Sequence, residues 1–241
     1  MEAKQIAFDK LANSMRMYAE TSTRFPELKL VDMEEAVNNL DRAFESKLEA
    51  FHSLYDITKS DFGYFDHADT ALLIVLRNAV HHRDHLLFKS WNHEMFLKSG
   101  LTKYSGAAFL LASYKVGGGT YTAQYYYKID DILDRLDSSR GSPYLQNKMG
   151  SSRRERLLET ISAELNFNKI YSFASDERYP SSQIYINLIP IFISAMERIF
   201  SHFKSLGMAF KGYDSGVYLE HFTSGLDVNF DEITFKQVRL P

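Results

Sequence analysis

An apolar run that ends in a cluster of polar side chains constrains this sequence more than any other feature. The run covers residues 71–76, Ala-Leu-Leu-Ile-Val-Leu. It is followed by a polar set: Arg77, Asn78, His81, His82 and His85. An apolar segment with such an end marks either a functional site or a buried network whose polar groups satisfy one another.

The same stretch predicts a long helix. No Gly or Pro interrupts residues 68–99, and Gly100 follows as a stop signal. Asp66 is expected to cap the start of the helix. At about 100° per residue, the polar set shares an arc of about 140°, away from the apolar face. Asn78 and His82 are i,i+4 neighbours, so their side chains are expected to touch.

The order Arg77-Asn78-x-x-x-His82 resembles the HEPN superfamily, the higher eukaryotes and prokaryotes nucleotide-binding domains. The signature of this family is an Arg, four to six residues and then a His, often with a polar residue directly after the Arg. The resemblance covers this one helix and the helical character of the chain. It implies a mainly α fold, a HEPN-like helical bundle, and many members of the family are metal-independent ribonucleases.

The resemblance also implies roles for the motif residues. His82 would transfer a proton, Arg77 would stabilise the phosphate as charge develops, and Asn78 would orient His82 or the phosphate. The implied function is an endoribonuclease that leaves 2′,3′-cyclic phosphate ends without a cofactor, as a toxin or antiphage effector. HEPN sites are commonly built across a two-fold axis, so a homodimer is expected, with an antitoxin or sensor protein as a further partner.

Three other interpretations of the motif helix stay open. His81 and His85 have the i,i+4 spacing that zinc enzymes use for ligands, so they are the alternative metal site. A HEPN-like domain that binds RNA, a nucleotide or a partner protein without cutting is the other alternative. A structural pairing of the Arg and His with a neighbouring acid would leave no site at all.

Composition limits the classes of protein. The 241 residues carry a net charge of −3, which excludes a general nucleic-acid coat protein and requires a local patch for any RNA contact. The chain has no Cys, which excludes disulfide scaffolds and thiolate sites. The N-terminus lacks an apolar signal core, and the longest apolar-rich stretch, residues 184–193, is too short to span a bilayer. A soluble, cytoplasmic protein without a membrane partner is expected.

The rest of the chain reads as one domain over 1–241, made mainly of helices. Periodic apolar residues predict a helix over 3–20, ended by Phe25-Pro26, and one over 31–56 whose stripe serves as core or dimer interface. Further predictions are a short acidic helix over 130–136, a helix from 152, an apolar segment to 206 with a kink at Pro190, and a strand over 233–238. Asp130 and Asp134 form either a solvated face or an acid–base or metal pair.

Two insertions are predicted in the helical domain. Aromatic and β-branched residues around Gly117-Gly118-Gly119 favour a β-hairpin near residues 107–128, within an insertion over about 104–128. A phosphate loop is the alternative, but its motifs are absent. Residues 138–156 form a polar, basic loop, which is either a solvated connector or an RNA-binding segment. Its cations are Arg140, Lys148, Arg153, Arg154 and Arg156.

Overall fold

The fold is mainly helical, as the sequence predicts, with a small sheet of four strands. A computed structural model describes residues 2–81, 87–118, 123–208, 223 and 226–241. The helices are α1 (Glu2–Val31), α2 (Met33–Thr58), α3 (Ala68–His81), α4 (Gly100–Lys103), α5 (Ile129–Leu136), α6 (Ser151–Glu164), α7 (Phe167–Asp176) and α8 (Leu188–Ser205). The strands are β1 (Ala108–Val116), β2 (Tyr126–Lys128), β3 (Ile184–Asn187) and β4 (Val228–Arg239).

Helices α1 and α2 pack against each other along their lengths. The predicted break at Phe25-Pro26 is wrong, because α1 continues through Pro26 to Val31. Pro26 lies in the last two turns, where its missing N–H removes one backbone bond while packing against α2 holds the helix. Asp32 then caps α2, its Oδ1 accepting a hydrogen bond from the Glu35 N–H at 2.8 Å.

The apolar stripe of α2 lies in the core of the chain. Its members from Val37 to Phe51 are at most 2% exposed. This confirms the core interpretation of the stripe and removes it as a dimer interface. One polar residue is buried among them: Lys47 lies against the rings of Tyr18, Phe44 and Phe192, and its Nζ makes no hydrogen bond within the described residues. Burial lowers the pKa of Lys47 well below its usual range.

Helix α3 carries the apolar run and is almost entirely buried up to Leu76. Its first N–H, from Ala68, donates to the Glu164 carboxylate of α6 at 2.9 Å, so α6 rather than Asp66 satisfies this group. Buried Asp69 accepts hydrogen bonds from Ser194 and Arg198 of α8. The motif helix is therefore held between α2, α6 and α8.

The predicted single helix over 68–99 is wrong. The structure describes helix α3 as far as His81, and residues 82–86 lie outside the described residues. Residues 87–90, which the prediction includes in the same helix, are not helical. Phe88 has a φ of 60°, in the left-handed region, and its N–H donates to Asp131 of α5 at 2.9 Å. A right-handed helix cannot pass through that conformation. A π-helical turn covers His93–Leu97 further along the chain.

The sheet has the strand order β2-β3-β1-β4. Strands form on both sides of the Gly cluster, but the predicted hairpin is wrong, because β3 lies between β1 and β2. Strand β1 is buried on both faces: Leu110 belongs to the helical core, and Phe109 packs against Trp91 and Tyr185. A strand of this kind needs neighbours on both sides, which β3 and β4 supply.

The later predictions agree better with the structure. Helix α5 matches the predicted acidic helix, α6 begins within one residue of its prediction, and β4 contains the strand predicted over 233–238. Pro190 does not lie mid-helix: it is in the first turn of α8, where its missing N–H costs no helical bond. Within the described ranges, no helix is both long and apolar enough to cross a membrane.

Candidate functional site

Arg77 lies on α3 where this helix faces the polar flank of α2. Its Nη2 is 3.3 Å from Oε2 of Glu49, and 19% of its side chain is exposed. The Nε of Arg77 is buried and makes no hydrogen bond within the described part of the chain. A guanidinium offers several donors in a rigid fork, so the contact with Glu49 fixes its direction and leaves donors for further acceptors.

Asn78 of the motif and the neighbouring His81 extend the contacts of Arg77 and Glu49. Oδ1 of Asn78 accepts from Nη1 of Arg77 at 3.5 Å, and Nδ1 of His81 is 3.5 Å from Oε1 of Glu49. The Glu49 carboxylate therefore bridges Arg77 and His81. His82 and His85 lie outside the described residues, so the Asn78–His82 contact and the His81–His85 metal pair stay predictions.

A second histidine belongs to this cluster and was missed in the sequence. His52 of α2 has its Nδ1 3.2 Å from Oδ2 of Asp56, and its side chain is 12% exposed. Burial, and then the positive charge of Arg77, lower the pKa of His52 below its usual range, while Asp56 and Glu49 act in the opposite direction. Burial and the charge of the Arg77 guanidinium thus both disfavour the protonated form of His52.

The sequence carried a weak signal for this cluster. Glu49, His52 and Asp56 follow one another at spacings of three and four along α2, on the flank of its apolar stripe. The spacing predicts that they share a face, but nothing local predicts that α3 lies against that face. We name Glu49, His52, Asp56, Arg77, Asn78 and His81 the α2–α3 polar cluster.

The α2–α3 polar cluster combines three kinds of chemistry. Arg77 is able to bind a phosphate, the His52 imidazole is able to exchange a proton, and carboxylates orient both side chains. Within the described residues, no group of three or more His, Asp or Glu side chains is arranged to hold a metal ion. The cluster therefore suits phosphoryl chemistry that depends on proton transfer and on charge stabilisation by a guanidinium.

The predicted RNA-binding cations divide into paired and unpaired groups. Arg140 forms ion pairs with Asp130 at 3.2 Å and Asp134 at 2.6 Å, so these carboxylates hold an arginine rather than acting as an acid–base pair. Arg154 is 6% exposed, and its Nη1 donates to the carbonyls of Gln146 and Met149. These contacts give Arg154 the role of fixing the loop, contrary to its prediction as a phosphate contact.

The other cations of this segment are exposed. Lys148, Arg153 and Arg156 all have exposed side chains. Arg153 lies over the ring of Phe65, with its Cζ 4.6 Å from the ring centroid. Arg153 and Arg156 also line a pocket of about 470 Å³ beside α6. The segment therefore keeps a local basic patch, centred on the first turns of α6.

Comparisons with known proteins identify no relative of this chain. No family model, no curated protein and no solved structure matches the chain.

Proposed function

We propose that this protein is a metal-independent endoribonuclease of the HEPN type, which cleaves RNA to 2′,3′-cyclic phosphate and 5′-OH ends. The observation that carries the proposal is the position of Arg77, which Glu49 holds at 3.3 Å on the face of α3 that packs toward α2, where its charge acts on His52. This arginine opens the R-N-x-x-x-H motif. A phosphate-binding guanidinium beside groups able to transfer protons is the minimum that this reaction needs.

The proposed reaction is an internal transesterification. A base removes the proton of a ribose 2′-OH, and that oxygen attacks the adjacent phosphorus. The bond from phosphorus to the 5′-oxygen then breaks, and the leaving oxygen takes up a proton. Arg77 stabilises the extra negative charge on the phosphate oxygens, and Asn78 helps to orient the phosphate. His82 transfers one of the two protons.

The proposal includes a homodimer in which Arg77 and His82 lie near the two-fold axis. The α2 stripe is buried inside the chain, so the interface would use the polar face around α3. Analytical ultracentrifugation at micromolar concentration tests the assembly, and we expect a dimer. A monomer that still cleaves RNA would contradict this part of the proposal.

A non-catalytic HEPN-like protein that binds RNA, a nucleotide or a partner such as an antitoxin or sensor subunit is the second candidate. The ion pair between Arg77 and Glu49 favours it, because a carboxylate at 3.3 Å competes with a phosphate for the same donors. The two candidates differ in the effect of Arg77→Ala. An enzyme loses cleavage and keeps its fold, whereas a structural pair loses thermal stability.

The direct test of the proposed chemistry uses mixed RNA and purified protein in EDTA. The proposal predicts cleavage, with 2′,3′-cyclic phosphate ends detected by their resistance to ligation until the phosphate is removed. Activity that disappears in EDTA would indicate a metal-dependent reaction and would favour the alternative His81–His85 metal site. Intact RNA, with or without divalent cations, would favour the binding protein.

A further inference from the structure

A pocket beside the first half of α6 lies outside the α2–α3 polar cluster. Its volume is about 470 Å³, within the usual range for small-ligand sites of about 300–1,000 Å³. It is lined by Phe65, Asp66, Arg153, Arg156, Leu157 and Thr160. Phe65 belongs to the connection between α2 and α3, so the pocket lies between that connection and α6.

The charges in the pocket are mostly positive. Arg153 and Arg156 are three residues apart on α6, which puts both side chains on one face of the helix. Neither forms an ion pair within the described residues, in contrast to Arg140, which carboxylates hold. Asp66 is the one acidic residue in the lining, and it leaves a net positive charge.

The pocket also contains an aromatic surface. The Arg153 guanidinium lies over one side of the half-buried Phe65 ring, with 4.6 Å between Cζ and the ring centroid. Guanidinium planes and aromatic rings are the groups on which proteins stack unpaired RNA bases. The combination of such a surface with unpaired arginines matches a nucleotide, which carries both a flat base and a phosphate.

A line of ring contacts joins this pocket to the α2–α3 polar cluster. The centroid of the Phe65 ring is 6.1 Å from that of Tyr55, which is 5.3 Å from that of His52. His52 in turn lies within the electrostatic influence of Arg77. Aromatic side chains therefore connect the surroundings of Arg77 with the pocket, and a strand bound with one phosphate at Arg77 would extend along them.

We propose that this pocket binds one nucleotide of a single-stranded RNA, with its phosphate on Arg153 and Arg156 and its base against the Arg153–Phe65 pair. The proposal rests on the proposed function, because it takes RNA as the ligand of Arg77. In this proposal the pocket positions the RNA strand, and the bond that is cleaved lies elsewhere, at Arg77. Base-paired RNA is excluded as a good ligand, since its bases are already stacked.

The test measures binding separately from cleavage. A short fluorescein-labelled single-stranded RNA with 2′-O-methyl groups cannot be cut by this chemistry, and its affinity is measured by fluorescence anisotropy at several salt concentrations. Arg153→Glu and Arg156→Glu should each weaken binding about tenfold or more and lower the log–log salt slope by about one. Arg239→Glu, the matched charge change on β4, should weaken binding by less than about twofold.

A further variant separates stacking from charge. Phe65→Leu should weaken binding about fivefold or more while the salt slope stays unchanged, because base stacking contributes no counterion release. The thermal unfolding curve of each variant shows whether it is folded. A double-stranded RNA of the same sequence, similarly methylated, should bind less tightly than the single strand.

The outcomes keep the two proposals apart. Wild-type affinity and salt slope in both arginine variants, or no measurable binding by the wild-type protein, would overturn the pocket. If the pocket variants have no effect while the wild-type protein cuts unmodified RNA in EDTA, the proposed function stands alone. If they weaken binding but no RNA is ever cut, the pocket stands and the enzyme does not.

Discussion

Arg77 and the pair Arg153–Arg156 represent two opposite environments for an arginine in this molecule. Arg77 lies between packed helices, with 19% of its side chain exposed and Glu49 at 3.3 Å. Arg153 and Arg156 are exposed and form no ion pair within the described residues. The first environment fixes the direction of one guanidinium, as a reacting phosphate requires, and the second leaves two cations free for a strand that arrives from solvent.

The largest expected effect concerns proton transfer next to Arg77. His82→Ala should lower the rate of RNA cleavage by about 10²–10⁴-fold, the usual contribution of a general acid or base. His81→Ala and His85→Ala are the controls, and they should keep a substantial fraction of the wild-type rate. Single-turnover cleavage in EDTA measures all three. If the rate follows His81 and His85 instead, the HEPN assignment of His82 is wrong.

The next effect separates two adjacent arginines by their role. Arg154→Ala should lower the free energy of unfolding by about 1–3 kcal/mol, because the carbonyls of Gln146 and Met149 lose a charged donor in a buried setting. Arg153→Ala should change it by less than about 0.5 kcal/mol, since its side chain is exposed. Urea unfolding measures both. Equal losses would show that the distinction between fixed and free arginines does not hold.

A smaller effect is expected at the partner of Arg77. Glu49→Gln removes a negative charge beside the proposed phosphate site and should tighten binding of the methylated RNA about twofold to tenfold. The free energy of unfolding should fall by less than about 1 kcal/mol, since almost half of the Glu49 side chain is exposed. Glu34→Gln, at the exposed start of α2 and far along the helix from Glu49, is the control. Unchanged affinity in Glu49→Gln would indicate that no phosphate approaches Arg77.

The smallest effect is a pH dependence of stability at His52. Its folded pKa is lowered, so the unfolded chain, with a pKa of about 6.5, binds more protons below that pH. His52 therefore contributes a loss of stability as the pH falls below about 6.5, and the change from pH 7 to pH 5 should be less favourable in the wild-type protein than in His52→Gln. Arg77, Asp56 and Glu49 are the charged groups that act on His52. Urea unfolding at pH 7 and pH 5 compares the two proteins, and equal losses would contradict the lowered pKa.

The sequence predicts those parts of the molecule that depend on local periodicity. The α2 stripe, the buried run on α3 and the short helix α5 were all predicted, because each follows from the spacing of apolar residues along one helix. The polar arc of α3 also follows from spacing. These features depend on neighbours only a few residues apart.

The sheet and the partners of the motif depend on residues far apart in the chain. Strand β3 lies between β1 and β2 in the sheet, although α5, α6 and α7 separate it from β2 in the sequence. The turn residues near Gly117 therefore contain no information about its position. Glu49 of α2 pairs with Arg77 of α3, 28 residues further along the chain. The backbone N–H of Phe88 donates to Asp131 of α5, 43 residues away in the sequence. Periodicity says which face of a helix is polar, but it does not say what lies opposite.

The most direct test of the central claim is the rate at which Arg77→Ala cleaves a defined single-stranded RNA in EDTA, with excess protein. The wild-type protein should give 2′,3′-cyclic phosphate ends, and the variant should be about 10²–10³-fold slower while its unfolding curve still shows a cooperatively folded protein. A variant that cleaves at the wild-type rate would contradict the role of Arg77 as the residue that stabilises the reacting phosphate.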